Sequence, residues 1–246
     1  MCGRYARSKD QAALVEEFAI ESAPPQGLAA DYNVAPTKQV YIVARRSGDD
    51  DPAPVRTLAI ARWGLVPSWA KDPTIGARMI NARAETAASK PAFRRAFERR
   101  RCLVPADGYY EWYEPDGDDA PKGKSGKPLK QPFFIHPTDG HSLAMAGLFE
   151  FWRNPDPELV DPWLMSVAIL TTTATDALGR IHDRMPLPIP AARWDAWLDP
   201  AAGGSAAAEV LRSHTADQLS AYPVSRAVNS VRNNGPELVA PLAATA

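Results

Sequence analysis

RCLVPADGYYEWY, residues 101–113, decides the fold class, because it holds two strand-like runs close together, Arg101–Pro105 and Tyr109–Tyr113. In the second run, period-2 alternation puts Tyr109, Glu111 and Tyr113 on one face and Tyr110 and Trp112 on the other. Working outward, runs of the same kind recur at Gln39–Ala44, Val55–Trp63, Pro132–Ile135, Leu143–Trp152 and Trp163–Thr172. Helical spacing is confined to short stretches. Residues 8–19 (SKDQAALVEEFA) read as a helix with Ser8 as N-cap and Leu14, Val15 and Phe18 on one face. A second lies between Phe93 and Arg101 with Phe93, Ala96 and Phe97 inward, and others cover Ala191–Leu198 and Ala206–Arg212. The 24 prolines against 15 glycines interrupt helices and remove ladder donors, which disfavours long helices and wide central strands. Asp49–Asp51 and Glu114–Lys130 are polar loops and not domain linkers, since strand patterns resume at once on both sides. The expectation is α+β: a single domain with a curved, mainly antiparallel, barrel-like β core flanked by short helices.

The 246 residues carry 28 Lys+Arg against 29 Asp+Glu, a formal charge of -1, with 45% hydrophobic and 23% charged residues. These are globular values that exclude wholesale disorder. No apolar run reaches the roughly 18 residues needed to span a bilayer, and the start has no apolar signal region. Two cysteines make no disulfide scaffold, which points to a reducing compartment, most simply the cytoplasm. Near-neutrality argues against a globally basic nucleic-acid coat, so an anionic partner must be held by a local cluster. No heptad seam or long apolar stripe appears, so a monomer is expected.

Cys2 is the most informative residue. Removal of Met1 would make it the N-terminus, a 1,2-aminothiol whose amine (pKa about 7.7–8) and thiol (about 8.5) are both usable nucleophiles. An aldehyde fits both groups: the amine condenses to an imine and the thiol closes a five-membered thiazolidine. The bland alternative is an incidental residue at a frayed end. Cys102 opens the apolar run CLVP and reads as a small core hydrophobe. The cysteines and histidines lack paired metal-ligand spacing, so neither a metal nor a cofactor is expected.

Asn33–Thr37 (NVAPT) and Asn81–Glu85 (NARAE) place an amide in a setting suited to ligand holding. In an extended segment Asn81 and Arg83 share a face, which suits a sugar–phosphate, although a polar loop cap explains either motif as well. Glu111, among aromatics, is expected to be partly desolvated and shifted towards the range of a general acid–base, unless it faces solvent. His182, beside Asp183 and Arg184 in a loop, has the setting of a proton shuttle, although a lone histidine is often structural. The anion-binding candidates are Arg4, Arg83, Arg184 and the cluster Arg94, Arg95, Arg99, Arg100 and Arg101, whose alternative reading is a solvated helix face. Trp63, Trp69 and Trp112 offer stacking surfaces for unpaired bases if they are not core.

MCGRYA, NVAPT, RWGLVPSW, NARAET, CLVPADGYYEW, IHDRMP and PVSRAVNSVRNNGPEL, in that order from residue 1 to about residue 239, resemble the SRAP family, the SOS-response-associated peptidase-like proteins that bind abasic sites in DNA. The resemblance implies a SRAP-like domain over 1–240 with a short tail over 241–246. It implies that Cys2, once Met1 is gone, captures the ring-opened aldehyde of an abasic site in single-stranded DNA as a thiazolidine DNA–protein crosslink. Activity of a lyase-like and (auto)peptidase-like kind comes with it, as does a cytoplasmic bacterial setting, nucleoid-associated when bound to DNA. By the same resemblance Asn81 contacts the reacting sugar, Glu111 moves protons, and His182 helps bind and open the sugar. Arg4 and Arg83 match phosphate-binding arginines, with Arg184 alongside as a DNA-binding residue, and Pro36, Trp69 and Thr171 line the DNA groove. Two other readings stand beside it. One is an N-terminal cysteine hydrolase acting on amides, which would turn over an amide without crosslinking DNA. The other is a non-covalent single-strand binding module, whose binding would be indifferent to Cys2→Ala.

Overall fold

A computed structural model of the chain describes residues 2–46, 54–115, 122–123, 126, 128–156, 158–174, 176–212 and 218–243. The Asp49–Asp51 loop and most of the polar stretch within 114–130 lie outside the described residues, as do Met1 and the last three residues of the expected tail. In chain order the elements are β1 (Tyr5–Arg7), α1 (Gln11–Glu17), β2 (Asp31–Val34), β3 (Gln39–Arg46), β4 (Val55–Trp63), β5 (Asn81–Arg83), α2 (Ala84–Ala87), α3 (Arg94–Arg99), β6 (Arg101–Ala106) and β7 (Gly108–Tyr113). They continue with β8 (Gln131–Pro137), β9 (Leu143–Arg153), β10 (Trp163–Thr173), α4 (Asp176–Gly179), β11 (Arg184–Pro186), α5 (Trp194–Leu198), α6 (Gly204–Arg212) and β12 (Leu219–Pro223).

β10, β4, β3, β6 and β9 pair in that order, and β9 returns to β10, closing a five-stranded barrel. Every seam is antiparallel except the short parallel joint at Ser166↔Arg62 and Val167↔Trp63. Alternate residues divide the barrel wall. Tyr41, Val43, Leu58, Leu103, Ala146, Leu148 and Leu170 pack with α1, α3, α5 and α6 residues such as Leu14, Phe97, Trp197 and Val210. Helices cannot enter so small a barrel, so this face is outer. The inner set is built from Val40, Ile42, Ala44, Ala61, Trp63, Cys102, Val104, Met145, Val167 and Ile169. It is rich in small and β-branched side chains, as a five-stranded interior requires. At Gly147 a Cβ would stand 2.8 Å from Cys102 Sγ, so the interior has no room for one there.

The second sheet, β12-β8-β7-β1-β2, is antiparallel throughout and caps one end of the barrel. Tyr5, Val34, Tyr109 and Ile135 from this sheet join the barrel's interior cluster, while Ala6, Tyr110 and Phe134 pack beneath Val224, Val228 and Leu238 of the C-terminal segment. The alternation read in Tyr109–Tyr113 is the division between these two layers. Each large apolar side chain buried this way contributes on the order of 1.5–3 kcal/mol.

The long strands fall where the sequence places them. The first helix is shorter than the expected residues 8–19: Asp10 is its N-cap, accepting from the Ala13 amide at 2.8 Å. Ser8 is instead tied through its amide to Asp107 Oδ2 at 2.5 Å, and Ala19 leaves the helix with φ 48°.

Candidate functional site

β10 is the strand on which the site is hung. Val167 and Ile169 face β9 on one edge and β4 or β5 on the other, because Val167 pairs with both Trp63 and Phe149 and Ile169 with both Asn81 and Gly147. Further along, Thr171 pairs with Arg83 on one edge and Pro186 on the other. The chain can leave β4 in time to admit β5 because Gly64 adopts φ 124° and packs against Gly76, whose carbonyl would stand 2.5 Å from a Cβ at Gly64. β10 thereby brings the Asn81 strand and the strand that follows His182 to neighbouring positions.

Cys2 is fully buried and belongs to the interior cluster at the barrel end. The following residues are pinned by strand pairing, Tyr110 N–H donating to the Arg4 carbonyl at 2.9 Å and Tyr5 pairing with Tyr109. Asn81 Nδ2 donates to the Cys2 carbonyl at 2.7 Å, while Asn81 Oδ1 is buried with no hydrogen-bond partner. Glu111 shares the Tyr109 face of β7 and is 3% exposed, which settles the choice between a desolvated and a solvent-facing carboxylate. Burial pushes its carboxyl above the usual carboxylate range. Burial, and then the neighbouring Glu111 charge, push the Cys2 thiol well up. Asn81 is thus tied to Cys2 by a hydrogen bond, and Cys2 to Glu111 and Glu111 to His182 electrostatically.

His182 Nδ1 lies 3.0 Å from the Arg184 amide and 2.9 Å from Asp183 Oδ1. The amide can only donate, so that contact requires a lone pair on Nδ1 and leaves the proton on Nε2. The Asp183 contact serves the doubly protonated ring.

The expected DNA-binding residues are placed unequally. Trp69 is 61% exposed on the loop after β4, whose Ala70 carbonyl accepts from Trp152 Nε1 at 2.7 Å. Arg83 is exposed at the end of β5. Pro36 sits in a turn whose next residue, Thr37, holds φ 73°, a strained value for a β-branched side chain. Thr171 is buried. Arg4 donates to Asn33 Oδ1 at 2.7 Å and to the Val228 carbonyl at 2.9 Å, with Trp112 5.7 Å beneath its guanidinium. Arg184 forms a two-pronged pair with Glu85.

Other candidates resolve to structure. Asn33 is buried and its amide ties down the carbonyls of Val228, Ser230 and Asn233. Trp63 is fully buried, and Trp112 bonds Asn229, so neither is a free stacking surface. Arg101 departs from the expected exposed cluster. It is buried and caps the ends of α3 and α5, donating to the carbonyls of Phe97, Glu98, Trp197, Asp199 and Ala202. Arg100 pairs with Glu150 at 2.8 Å. Two residues that sequence reasoning did not single out for the site, Tyr5 and Tyr109, frame it together with Trp63, expected as a stacking surface. Tyr5 and Tyr109 are buried beside Cys2. Trp63 packs on Tyr5 at 5.3 Å and donates to the Ile80 carbonyl at 2.9 Å. All three are buried aromatics.

No helix among the described residues is long and apolar enough to cross a membrane. The chain is 36% identical over 241 residues to the abasic site processing protein YoqW of Bacillus subtilis, covering 97% of this chain and 99% of that one. It is 35% identical over 251 residues to the abasic site processing protein YedK of Escherichia coli, covering 98% and 100%. With the abasic site processing protein HMCES of Xenopus tropicalis it shares 32% identity over 230 residues, 87% of this chain and 67% of the other. A crystal structure of a protein from Bacteroides thetaiotaomicron superposes with a TM-score of 0.79 at 23% identity, covering 98% and 100%, which speaks to the fold alone. A Bordetella bronchiseptica protein gives 0.67 at 29% identity, covering 91% and 100%. The family described as SOS response associated peptidase (SRAP) matches residues 1–231, and with curated relatives above 30% identity across nearly the whole chain, this protein belongs to the SRAP family.

Proposed function

We propose that this protein processes abasic sites in single-stranded DNA by forming a covalent thiazolidine with Cys2 after Met1 is removed. The observation that carries the reading is the burial of Cys2 at the barrel end, its carbonyl held by Asn81 and its thiol beside the buried Glu111. The names of the curated relatives support the substrate class.

The Cys2 amine attacks the C1′ aldehyde of the ring-opened sugar, and the resulting carbinolamine loses one water to give an imine. The thiol then adds its sulfur to the imine carbon while its proton passes to the nitrogen, closing the ring, so that one water leaves overall. The amine is the first nucleophile and the sulfur the second, because the ring closes on an imine that must already be formed, and burial disfavours the thiolate. Glu111, a carboxyl whose pKa burial raises, gives a proton to the departing oxygen and accepts one as the sulfur adds. Asn81 Oδ1, a buried acceptor without a partner, receives a sugar hydroxyl, which removes the cost of leaving it unsatisfied. His182, with its proton on Nε2, donates to the sugar oxygen as the ring opens. Trp69 and Pro36 provide stacking and groove surface, and Arg4, Arg83 and Arg184 the positive charge.

Intact mass spectrometry with a single-stranded oligonucleotide carrying one abasic site tests this. The expected adduct is the chain without Met1 plus DNA minus one water, stable to denaturation and absent in Cys2→Ala. An equally stable adduct in Cys2→Ser, or amide turnover with no crosslink, overturns it.

A further inference from the structure

Arg184 is held from two sides. On the inner side its Nη2 donates to the Thr171 carbonyl at 2.6 Å and to Thr171 Oγ1 at 3.2 Å, and Thr171 is 1% exposed. On the outer side the guanidinium forms a fork with Glu85, Nη1 to Oε1 at 2.7 Å and Nη2 to Oε2 at 3.0 Å, with Thr173 Oγ1 at 3.4 Å from Nη1. The two partners differ in exposure: the Arg184 side chain is 13% exposed and that of Glu85 49%. The exposed Arg83 flanks the same carboxylate, so two guanidinium charges meet one negative charge. The hydrogen bond from Arg184, and secondarily the charges of Arg184 and Arg83, hold the Glu85 carboxyl below the usual range.

A planar fork that accepts two carboxylate oxygens accepts two phosphate oxygens in the same way. The inner half of this arginine is fixed by a buried threonine, and only its outer occupant can leave. We propose that Glu85 is an internal stand-in for a backbone phosphate: it fills the Arg184 fork in the free protein, and a phosphate of the bound single strand displaces it while the Thr171 contacts remain. This rests on the DNA-binding reading above and names a regulation of that site. A half-exposed ion pair is weak enough to open. The displaced carboxylate turns to solvent, and Arg83 takes the adjoining phosphate. Trading one anion for another at Arg184 keeps the affinity for strand without a lesion low, so that retention depends on the covalent bond.

Binding of a fluorescent single-stranded oligonucleotide carrying a tetrahydrofuran site, which has no aldehyde, is measured across a salt series. Glu85→Gln is expected to bind about 5-fold tighter at low salt, because the phosphate no longer has to displace a carboxylate from the Arg184 fork, with the gain shrinking as salt rises. In an Arg184→Gln background the gain from Glu85→Gln is expected to vanish. Arg184→Lys, which keeps the charge without the fork, serves if the glutamine variant does not fold, and there the gain shrinks. Weaker or unchanged binding by Glu85→Gln overturns the proposal, since Glu85 is then only a structural partner. So does a gain that persists undiminished without the Arg184 fork, since that is a general effect of removing a negative charge. A wild-type protein that fails to bind the oligonucleotide sinks both this and the DNA reading, whereas binding without crosslinking of aldehyde-bearing DNA sinks the covalent reading alone.

Discussion

Cys2 and Cys102 are both fully buried, belong to the same interior cluster, and have thiols that burial pushes up, yet they occupy different chemical worlds. Cys102 lies in the barrel wall on β6, where desolvation alone acts on its thiol and Gly147 is its close neighbour. Cys2 lies at the barrel end, where Glu111 adds its charge and Asn81 binds its carbonyl. Burial by itself therefore does not separate the two cysteines. What distinguishes the barrel end from the wall is the buried polar equipment around the sulfur, which costs stability and is retained at only one of the two places.

Making the barrel end resemble the wall is the largest perturbation. Glu111→Gln removes the carboxyl and leaves the shape, and the crosslinking rate is expected to fall about 100-fold, at the low end of what a general acid–base contributes. The rate of the wild type should decline as pH rises through the raised Glu111 pKa, and the variant should lack that limb. The substitution moves stability in the opposite sense to rate. A raised folded-state pKa means that Glu111 contributes fully below the unfolded carboxyl value of about 4.3, and that this contribution is lost as pH rises through the folded value. Glu111→Gln should thus gain on wild type in urea denaturation as pH rises from the unfolded carboxyl value through the folded one, then hold a constant lead. A lead that stays flat across pH, with unchanged crosslinking, would put Glu111 on the same footing as the wall.

The wall is tested by filling it. Gly147→Ala places a methyl 2.8 Å from Cys102 Sγ and 3.0 Å from Val104 Cγ2, so the interior must shift, at a cost of about 1–3 kcal/mol. Crosslinking by the folded fraction should match wild type. A loss of rate larger than the loss of folded protein would show that wall and barrel end are coupled through the packing.

The sequence made these two regions legible to different degrees. β3, β4, β6, β7, β9 and β10 follow from their own alternation because each is long enough to show it. β1, β2, β5 and β11 have three or four residues each and exist only because a neighbour pairs with them. The closure of the barrel, a two-pair parallel joint plus the β9–β10 hairpin, has no local signature. At the site, Cys2, Asn81, Glu111 and His182 could be named from residue type and motif. The partners of the arginines could not, since nothing local tells an Arg184 forked on Glu85 from a free one, or a buried Arg101 from its exposed neighbours. Trp63, expected as a stacking surface, and Tyr5 and Tyr109, which carried no site expectation, are core; their service to the site comes from where the core ends.

Trp63 joins the two regions, and its perturbation is expected to be the smallest. The indole closes the interior cluster and packs on Tyr5, three residues from Cys2, and its Nε1 donates to the carbonyl of Ile80, the residue before Asn81. That carbonyl also accepts from the Ile169 amide at 3.0 Å. Trp63→Phe therefore removes one donor without orphaning the acceptor, and the cost should sit near about 1 kcal/mol, plus what the smaller ring gives up in packing. In urea this is read as a lower midpoint at constant m-value. The crosslinking rate should fall a few-fold, because Asn81 keeps its strand pairing to β10 and loses only one of the two bonds that fix Ile80. An unchanged rate would mean that β10 alone positions Asn81 and that the wall and the barrel end are independent. A loss approaching that of Glu111→Gln would mean that the geometry of the barrel end is set by this one indole, and the distinction between the two regions would then be one of chemistry only, not of rigidity.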